Sequence, residues 1–196
     1  WHFVGSKLRN GDPVPKDGEW LEYSGPLVMC HGGLHACRDA FDALKYARGT
    51  ILCRVECGGA IIEDGDKLDC TRRRIIERRD ASEMLYAFAR AQALSVIHLW
   101  AAPDVVVEYL KTGNKALRVA AWAAVPPAEP AGSGSEIKAP WLAWTSTRAA
   151  IRANRSTDWI VDETRIATNR ANAAILMDAR KDFNRRVDKL FTAPTE

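Results

Sequence analysis

The sequence contains no long apolar run. Its longest stretches, Val105–Val107 and Val119–Val125, fall far short of the roughly 20 residues a membrane-spanning helix needs. We therefore expect no membrane partner. No signal peptide is recognisable, and the sequence opens on Trp1 rather than Met, which points to a trimmed start. A disulfide framework is missing too. The five cysteines, Cys30, Cys37, Cys53, Cys57 and Cys70, are odd in number and lie in the first half, which suits a reducing, cytoplasmic compartment. Charge of one sign is scarce: 28 basic residues face 25 acidic ones, for a net charge of +3. That balance describes a mixed solvated surface, not the basic stripe of a dedicated nucleic-acid binder. Finally, there is no P-loop, no Gly-x-Ser-x-Gly elbow, no His-Glu-x-x-His and no dinucleotide fingerprint, so no common catalytic motif assigns a reaction.

What remains is a chain of 196 residues, 47% hydrophobic and 27% charged, able to bury a core without disulfide staples. Its first part alternates and turns often. Trp1–Leu8, Glu19–Tyr23, Leu27–Cys30 and Leu34–Cys37 read as short strands, separated by Asn10-Gly11, Asp17-Gly18 and Ser24-Gly25-Pro26. Asp39–Ala47 reads as a helix stopped near Gly49. Thr50–Cys57 and Ala60–Glu63 form strand segments around a bend at Gly58-Gly59, and Asp64-Gly65 is a hairpin signal before Lys67–Ile76. From Asp80 the pattern turns helical. We expect one helix to about His98, a second from Pro103 to a stop at Gly113, and a third over Asn114–Val125. Beyond the linker come Trp141–Asn154 and Asp158–Phe191. The last carries a stripe of Ile166, Ile175, Leu176, Phe183, Val187 and Leu190, which must be buried against a neighbour or a second copy of the chain. The expected class is α+β: a small split antiparallel sheet with a short helix over residues 1–79, helices over 80–125, a Pro/Gly/Ser linker over 126–139, and C-terminal helices over 140–196.

Three groups of residues could carry chemistry. Two cysteines and two histidines crowd into Cys30–Cys37, but the spacing lacks the paired knuckles of a structural zinc site, so no metal is assigned. Cys53 and Cys57 share a strand face with Val55 and read as core. Arg54 points to the other face, against a reactive thiol. In Arg72-Arg73-Arg74, the outer two share one face and could clamp a phosphate with Lys67, although an edge strand guarded by charge explains them as well. Trp122, Trp141, Trp144 and Trp159 suit packing between Ala-rich helices better than stacking on bases.

Several blocks together carry a resemblance. Leu27-Val28-Met29-Cys30, Gly33-Leu34-His35-Ala36-Cys37, Asp42–Tyr46, Cys53-Arg54-Val55-Glu56, Gly65-Asp66-Lys67 and Arg74-Ile75-Ile76 resemble an uncharacterised phage and prophage family, over roughly residues 3–80. The order Gly33-Leu34-His35, Asp42–Tyr46, Leu52-Cys53-Arg54-Val55 is also loosely similar to ADP-ribosyltransferases. That likeness implies an NAD- or nucleotide-binding protein acting in the host-cell cytoplasm and modifying a host or phage macromolecule. His35, Tyr46 and Asp66 would be catalytic, with Glu63 and Asp64 as neighbouring carboxylates. Lys7, Arg9, Lys67, Arg72 and Arg74 would hold the cofactor. The alternative is a non-catalytic interaction or anti-defence protein. It would contact a host protein, nucleotide or nucleic acid through arginines of the helical half, such as Arg148, Arg152, Arg155 and Arg165, with the C-terminal helices pairing two copies.

Overall fold

The computed structural model describes residues 1–8, 10–126, 138–153, 160–174 and 178–194. The chain is α+β, and it divides into two compact units. One comprises Trp1–Ala81 together with the chain from Phe183 onward; the other comprises Ser82–Asp182.

The first unit is organised by one long hairpin. Strands β4 (Ile51–Asp64) and β5 (Lys67–Asp80) pair antiparallel over 14 residues each. Gly65, at φ 59°, opens the two-residue turn between them, as a hairpin with a left-handed first turn residue requires. Three strands of three residues dock on its edges. β1 (His2–Val4) pairs with the start of β4. The edge of β5 is split: β3 (Leu34–Ala36) takes Leu68–Cys70, and β2 (Trp20–Glu22) takes Arg72–Arg74. The β4–β5 register slips between Arg54 and Val55 and again between Gly58 and Ile61. Such bulges turn side chains away from simple alternation.

β1 is shorter than the expected Trp1–Leu8. The chain at Gly5 runs against Gly49, where a Cβ would collide with the Val4 carbonyl and the Gly5 backbone. Lys7 keeps only an isolated bridge to Pro13. Leu27–Cys30 is not a strand either. Val28 pairs with Gly32, and both the His31 and Gly32 N–H groups donate to the Val28 carbonyl. This closes a tight turn with Cys30 at φ 67°. A short apolar run can read as a strand, yet Pro26 and the two following glycines leave it no partner.

Helix α1 (Ala40–Leu44) is capped by Asp39, whose carboxylate accepts from Phe41 N at 2.8 Å. The second carboxylate oxygen accepts from Asn184 Nδ2 at 2.9 Å. Asn184 belongs to the last helix, α7 (Ala179–Thr192). Around this junction Phe183 meets Phe41 edge-on at 5.7 Å between ring centres, and Phe191 meets Trp1 at 5.0 Å. Phe183 and Val187, four residues apart on one helix face, are buried. Phe183 and Val187 of the expected apolar stripe are thus covered by the chain itself, while Ile166 of the same stripe is exposed.

The second unit contains α2 (Ser82–Val96), α3 (Asp104–Thr112), α4 (Arg118–Ala124), α5 (Lys138–Ala153) and α6 (Ile160–Ala174). Helices α2, α5 and α6 pack together, with alanines 89, 93, 143, 150, 167 and 171 buried among them. Small side chains let the backbones approach closely, and Phe88, Leu85, Ile151 and Ile160 fill the remaining volume. Gly113 ends α3 in the left-handed conformation and returns its N–H to Tyr109 O. The expected single helix over Asp158–Phe191 is two helices, α6 and α7. The C-terminal part expected to stand with the helices returns instead to the sheet unit from Phe183. Arg9, Arg155, Trp159, Ile175, Leu176 and most of the expected linker (127–137) lie outside the described residues. No helix is long and apolar enough to cross a membrane among the described residues.

Candidate functional site

The β4–β5 turn projects Asp66 and Lys67, and two other segments meet them there. Tyr46, just past α1, donates its hydroxyl to Asp66 Oδ1 at 2.8 Å. Lys45 Nζ lies 2.6 Å from Asp66 Oδ2 and 3.1 Å from Asp42. Lys67 Nζ sits 4.3 Å from the centre of the Tyr46 ring and 3.0 Å from Cys30 Sγ, in the tight turn before β3. The Cys30 backbone N–H donates to Asp69 Oδ2 at 3.1 Å. Asp69 faces His35 across the β3–β5 pairing, with His35 Nε2 3.1 Å from Asp69 Oδ1. Oδ1 itself has no hydrogen-bond partner among the described residues. A continuous line of contacts therefore runs from His35 through Asp69, Cys30, Lys67 and Tyr46 to Asp66 and Lys45.

The electrostatics follow from these contacts. Hydrogen bonds from Lys45 and then Tyr46 hold Asp66 below the ordinary aspartate range. Partial burial, and then the bond to Asp66, hold the Tyr46 phenol above its own, so it remains a donor. Lys67 is raised chiefly by Cys30. Asp69 is fully buried while His35 is part-exposed. A buried carboxylate demands a donor; the Cys30 N–H supplies one to Oδ2, and the His35 ring lies beside Oδ1.

The structure thus brings together His35, Tyr46, Asp66 and Lys67, but not the rest of the expected set. Arg72 and Arg74 lie further along β5, roughly 16 Å from Lys67 at about 3.3 Å per residue for Arg72. They straddle the Trp20 ring at 4.6 and 4.7 Å and pair with Glu22 and Glu56 at 3.2 and 2.6 Å. Their charges are compensated by carboxylates of β2 and β4, which flank β5 on both sides here, so the stretch is not the edge strand the sequence suggested. Lys7 is exposed on its isolated bridge, and Arg9 is outside the described residues. Glu63 is paired with Arg38.

A second cluster escaped sequence reasoning. Arg73 points inward between Arg72 and Arg74 and is 6% exposed. Its guanidinium donates to the His35 carbonyl, and the strand register sets it opposite Cys57 on β4. Burial raises Cys37 and Cys53 to about 11. Cys57 goes the other way, to about 7, through a hydrogen bond with Cys70 and then the Arg73 charge; Cys70 is raised in turn. Cys57 is half-buried, not the core residue expected. Strand alternation assumed a straight β4, and the two bulges beside Cys57 break it. The available signal was Arg73 itself: if Arg72 and Arg74 face out, the residue between them faces in. Among the described residues, no group of three His, Cys, Asp or Glu side chains is placed to hold a metal ion.

Residues 4–87 match a domain family of unknown function, DUF7666. No curated protein and no solved structure matches the chain. Both clusters lie wholly within the DUF7666 span, so the part of the chain with a family match is also the part with concentrated polar chemistry.

Proposed function

We propose that the DUF7666 span binds a nucleotide, with NAD as the type ligand, at the tip of the β4–β5 hairpin. The observation that carries this reading is the convergence of an aromatic ring, two ammonium groups and an ionised carboxylate from separate segments at one exposed place. Tyr46 is 45% exposed and offers a ring for stacking on a base or nicotinamide. Lys67 and Lys45 are suited to phosphate oxygens as compact, mobile charges. Asp66, kept ionised by its neighbours, suits ribose hydroxyls. In an ADP-ribosyl transfer it would supply fixed negative charge beside an oxocarbenium-like transition state. His35, beside Asp69, is the remaining polar group. In this reading the protein is an ADP-ribosyltransferase-like, phage-encoded factor acting on a macromolecule in the host cytoplasm.

A second reading, a non-catalytic interaction or anti-defence protein, draws on the helical unit. Val119 and Ile166 stand 68% and 43% exposed there. It needs no ligand at the hairpin tip.

A melting experiment separates them. The full chain would be heated with NAD, ADP-ribose, ATP, cyclic dinucleotides or short DNA, alongside His35→Ala and Tyr46→Ala. A ligand at about a hundred times its dissociation constant stabilises by roughly 2.7 kcal/mol. We expect a shift with NAD or ADP-ribose that both variants lose. A cooperative melt that no nucleotide moves would sink the nucleotide reading and turn the search to protein partners.

A further inference from the structure

The proposed function leaves one nucleophile at the hairpin tip unused, the thiol of Cys30. Cys37, Cys53 and Cys70 are buried and Cys57 is half-buried, whereas Cys30 is exposed. It stands in the tight turn that the Val28–Gly32 bridge closes, in the left-handed region at φ 67°. Residues other than glycine and asparagine are uncommon there, and neighbouring groups must hold them in place. Here the holder is Asp69. It is fully buried, its Oδ2 accepts from the Cys30 N–H at 3.1 Å, and its Oδ1 has no hydrogen-bond partner among the described residues. A carboxylate beneath the turn thus fixes the backbone of Cys30 and leaves its side chain at the surface.

The sulfur has a cation on it. Lys67 Nζ donates to Cys30 Sγ at 3.0 Å and lies 4.3 Å from the centre of the Tyr46 ring. Other cations of the sheet unit meet carboxylates: Lys45 meets Asp66, Arg38 meets Glu63, Arg54 meets Glu77 and Arg78 meets Asp17. Among the described residues no carboxylate lies within ion-pair distance of Lys67, so its close partners are the sulfur and the ring. The ring holds the ammonium by cation–π attraction, and an ammonium at hydrogen-bond distance favours the anionic, nucleophilic form of a thiol. The nearby negative charge, on Asp69, is engaged by the backbone N–H of Cys30 itself.

The surroundings also select the reagent. An oxidised cysteine is commonly resolved by a second thiol close by, but the other cysteines are covered and none is bonded to Cys30. The partner sulfur must come from solution. Exchange with a disulfide depends on thiolate character and on access to the attacking sulfur, and an exposed thiol on a turn beside a cation offers both. We propose that Cys30 is a site of mixed-disulfide formation with low-mass disulfides of the glutathione type, activated by Lys67. The Cys30 thiolate attacks one sulfur of the disulfide. A new S–S bond forms, the old one breaks, and the departing thiolate takes a proton from solvent. The protein sulfur is oxidised, one sulfur of the reagent is reduced to a thiol, and an excess of free thiol reverses the change. The attached group must stand beside Lys67 and Tyr46, so it would compete with a ligand there. That consequence rests on the nucleotide reading; the modification itself does not, and it is measured without nucleotide.

The full chain, reduced and free of nucleotide, would be mixed at neutral pH with oxidised glutathione, quenched with acid at intervals and mapped by mass spectrometry. One glutathionyl group should appear at Cys30 before any other cysteine is modified. Lys67→Gln should slow that step on the order of tenfold. Lys67→Arg, which keeps a cation beside the sulfur, should restore most of the rate, which a purely structural role of Lys67 would not require. Cys30→Ser should remove the fast modification, and a cooperative melt of each variant shows that the fold is kept. First modification at Cys57, a disulfide between Cys30 and another cysteine of the chain, or an unchanged rate in Lys67→Gln would overturn the assignment. A failure of every nucleotide to shift the melt would leave it standing.

Discussion

The two units handle polar groups in opposite ways. In the sheet unit, charged side chains from distant segments meet at or near the surface: Lys67 with Cys30, Tyr46 with Asp66, Arg54 with Glu77. In the helical unit, many polar side chains are sealed inside. Ser146 donates to the Ala167 carbonyl at 2.8 Å, Thr168 to Thr164 at 2.8 Å, and Glu163, 2% exposed, meets Arg152 at 2.9 Å. Those bonds join helix to helix or close a turn within one, while Gln92, Trp144 and Thr147 are buried there with side-chain polar atoms that have no hydrogen-bond partner among the described residues. Polar groups left within reach of solvent can receive a ligand; polar groups sealed between Ala-rich helices fix packing. The difference places chemistry in the sheet unit and architecture in the helical one.

The strongest way to break this comparison is to remove what the sheet unit borrows from the end of the chain. Phe183 is fully buried and faces Phe41. Phe183→Ala should cost about 3–5 kcal/mol, read by denaturant unfolding, and should destabilise the sheet unit first. Hydrogen exchange that loosens α5 and α6 while sparing β4 and β5 would show that α7 serves the other unit. A somewhat smaller effect is expected from Arg152→Ala, which strands the buried Glu163. Loss of one partner of a buried pair costs about 3–5 kcal/mol, and the part-exposed position of Arg152 places this variant below that range. Arg152→Ala/Glu163→Gln should recover most of the loss. A double variant as unstable as the single one would show that Arg152 acts through packing. Smaller again is Ser146→Ala. Removing one buried hydroxyl bond should cost about 1 kcal/mol, seen as a lower denaturation midpoint with an unchanged slope.

Much of this architecture is legible in the sequence, for reasons that locate the failures. Asp64-Gly65 and Gly113 marked a hairpin turn and a helix stop because each depends on backbone geometry that few residues supply. The convergence of His35, Tyr46, Asp66 and Lys67 was reached through a resemblance, and the β3–β5 pairing and the hairpin turn realise it. What the sequence hid depends on register. The bulges in β4 cannot be read from Gly58-Gly59 alone, so Cys57 was assigned to the core. The docking of Phe183 and Asn184 on α1 is a long-range contact that no local pattern encodes. Arg72 and Arg74 show the complementary error: their shared face was read correctly, but Glu22 and Glu56 arrive from other strands to neutralise it.

The smallest expected effect is the most specific to the comparison, because acid should act on the two units with opposite sign. Asp66 has its pKa lowered by Lys45 and Tyr46. The stability it contributes is present above the unfolded aspartate pKa and is lost as pH falls through the folded value. Glu163 has its pKa raised by burial, against the pull of Arg152. Its folded form binds the proton more tightly than the unfolded chain, so protonation stabilises it. Its contribution falls as pH rises from the unfolded glutamate value through the folded one. Asp66→Asn should therefore flatten the acid-side loss of stability in the sheet unit, and Glu163→Gln should remove the decline of the helical unit on raising the pH. Because Asp66 is part-exposed, solvent screening keeps its share to at most about 1 kcal/mol. Residue-resolved hydrogen exchange between about pH 2.5 and about pH 6 (from roughly 1.5 units below the free aspartate value to roughly 1.5 above the free glutamate value) reads both units in one sample. Parallel pH slopes in β5 and α6, unchanged by either variant, would remove the electrostatic distinction between the units.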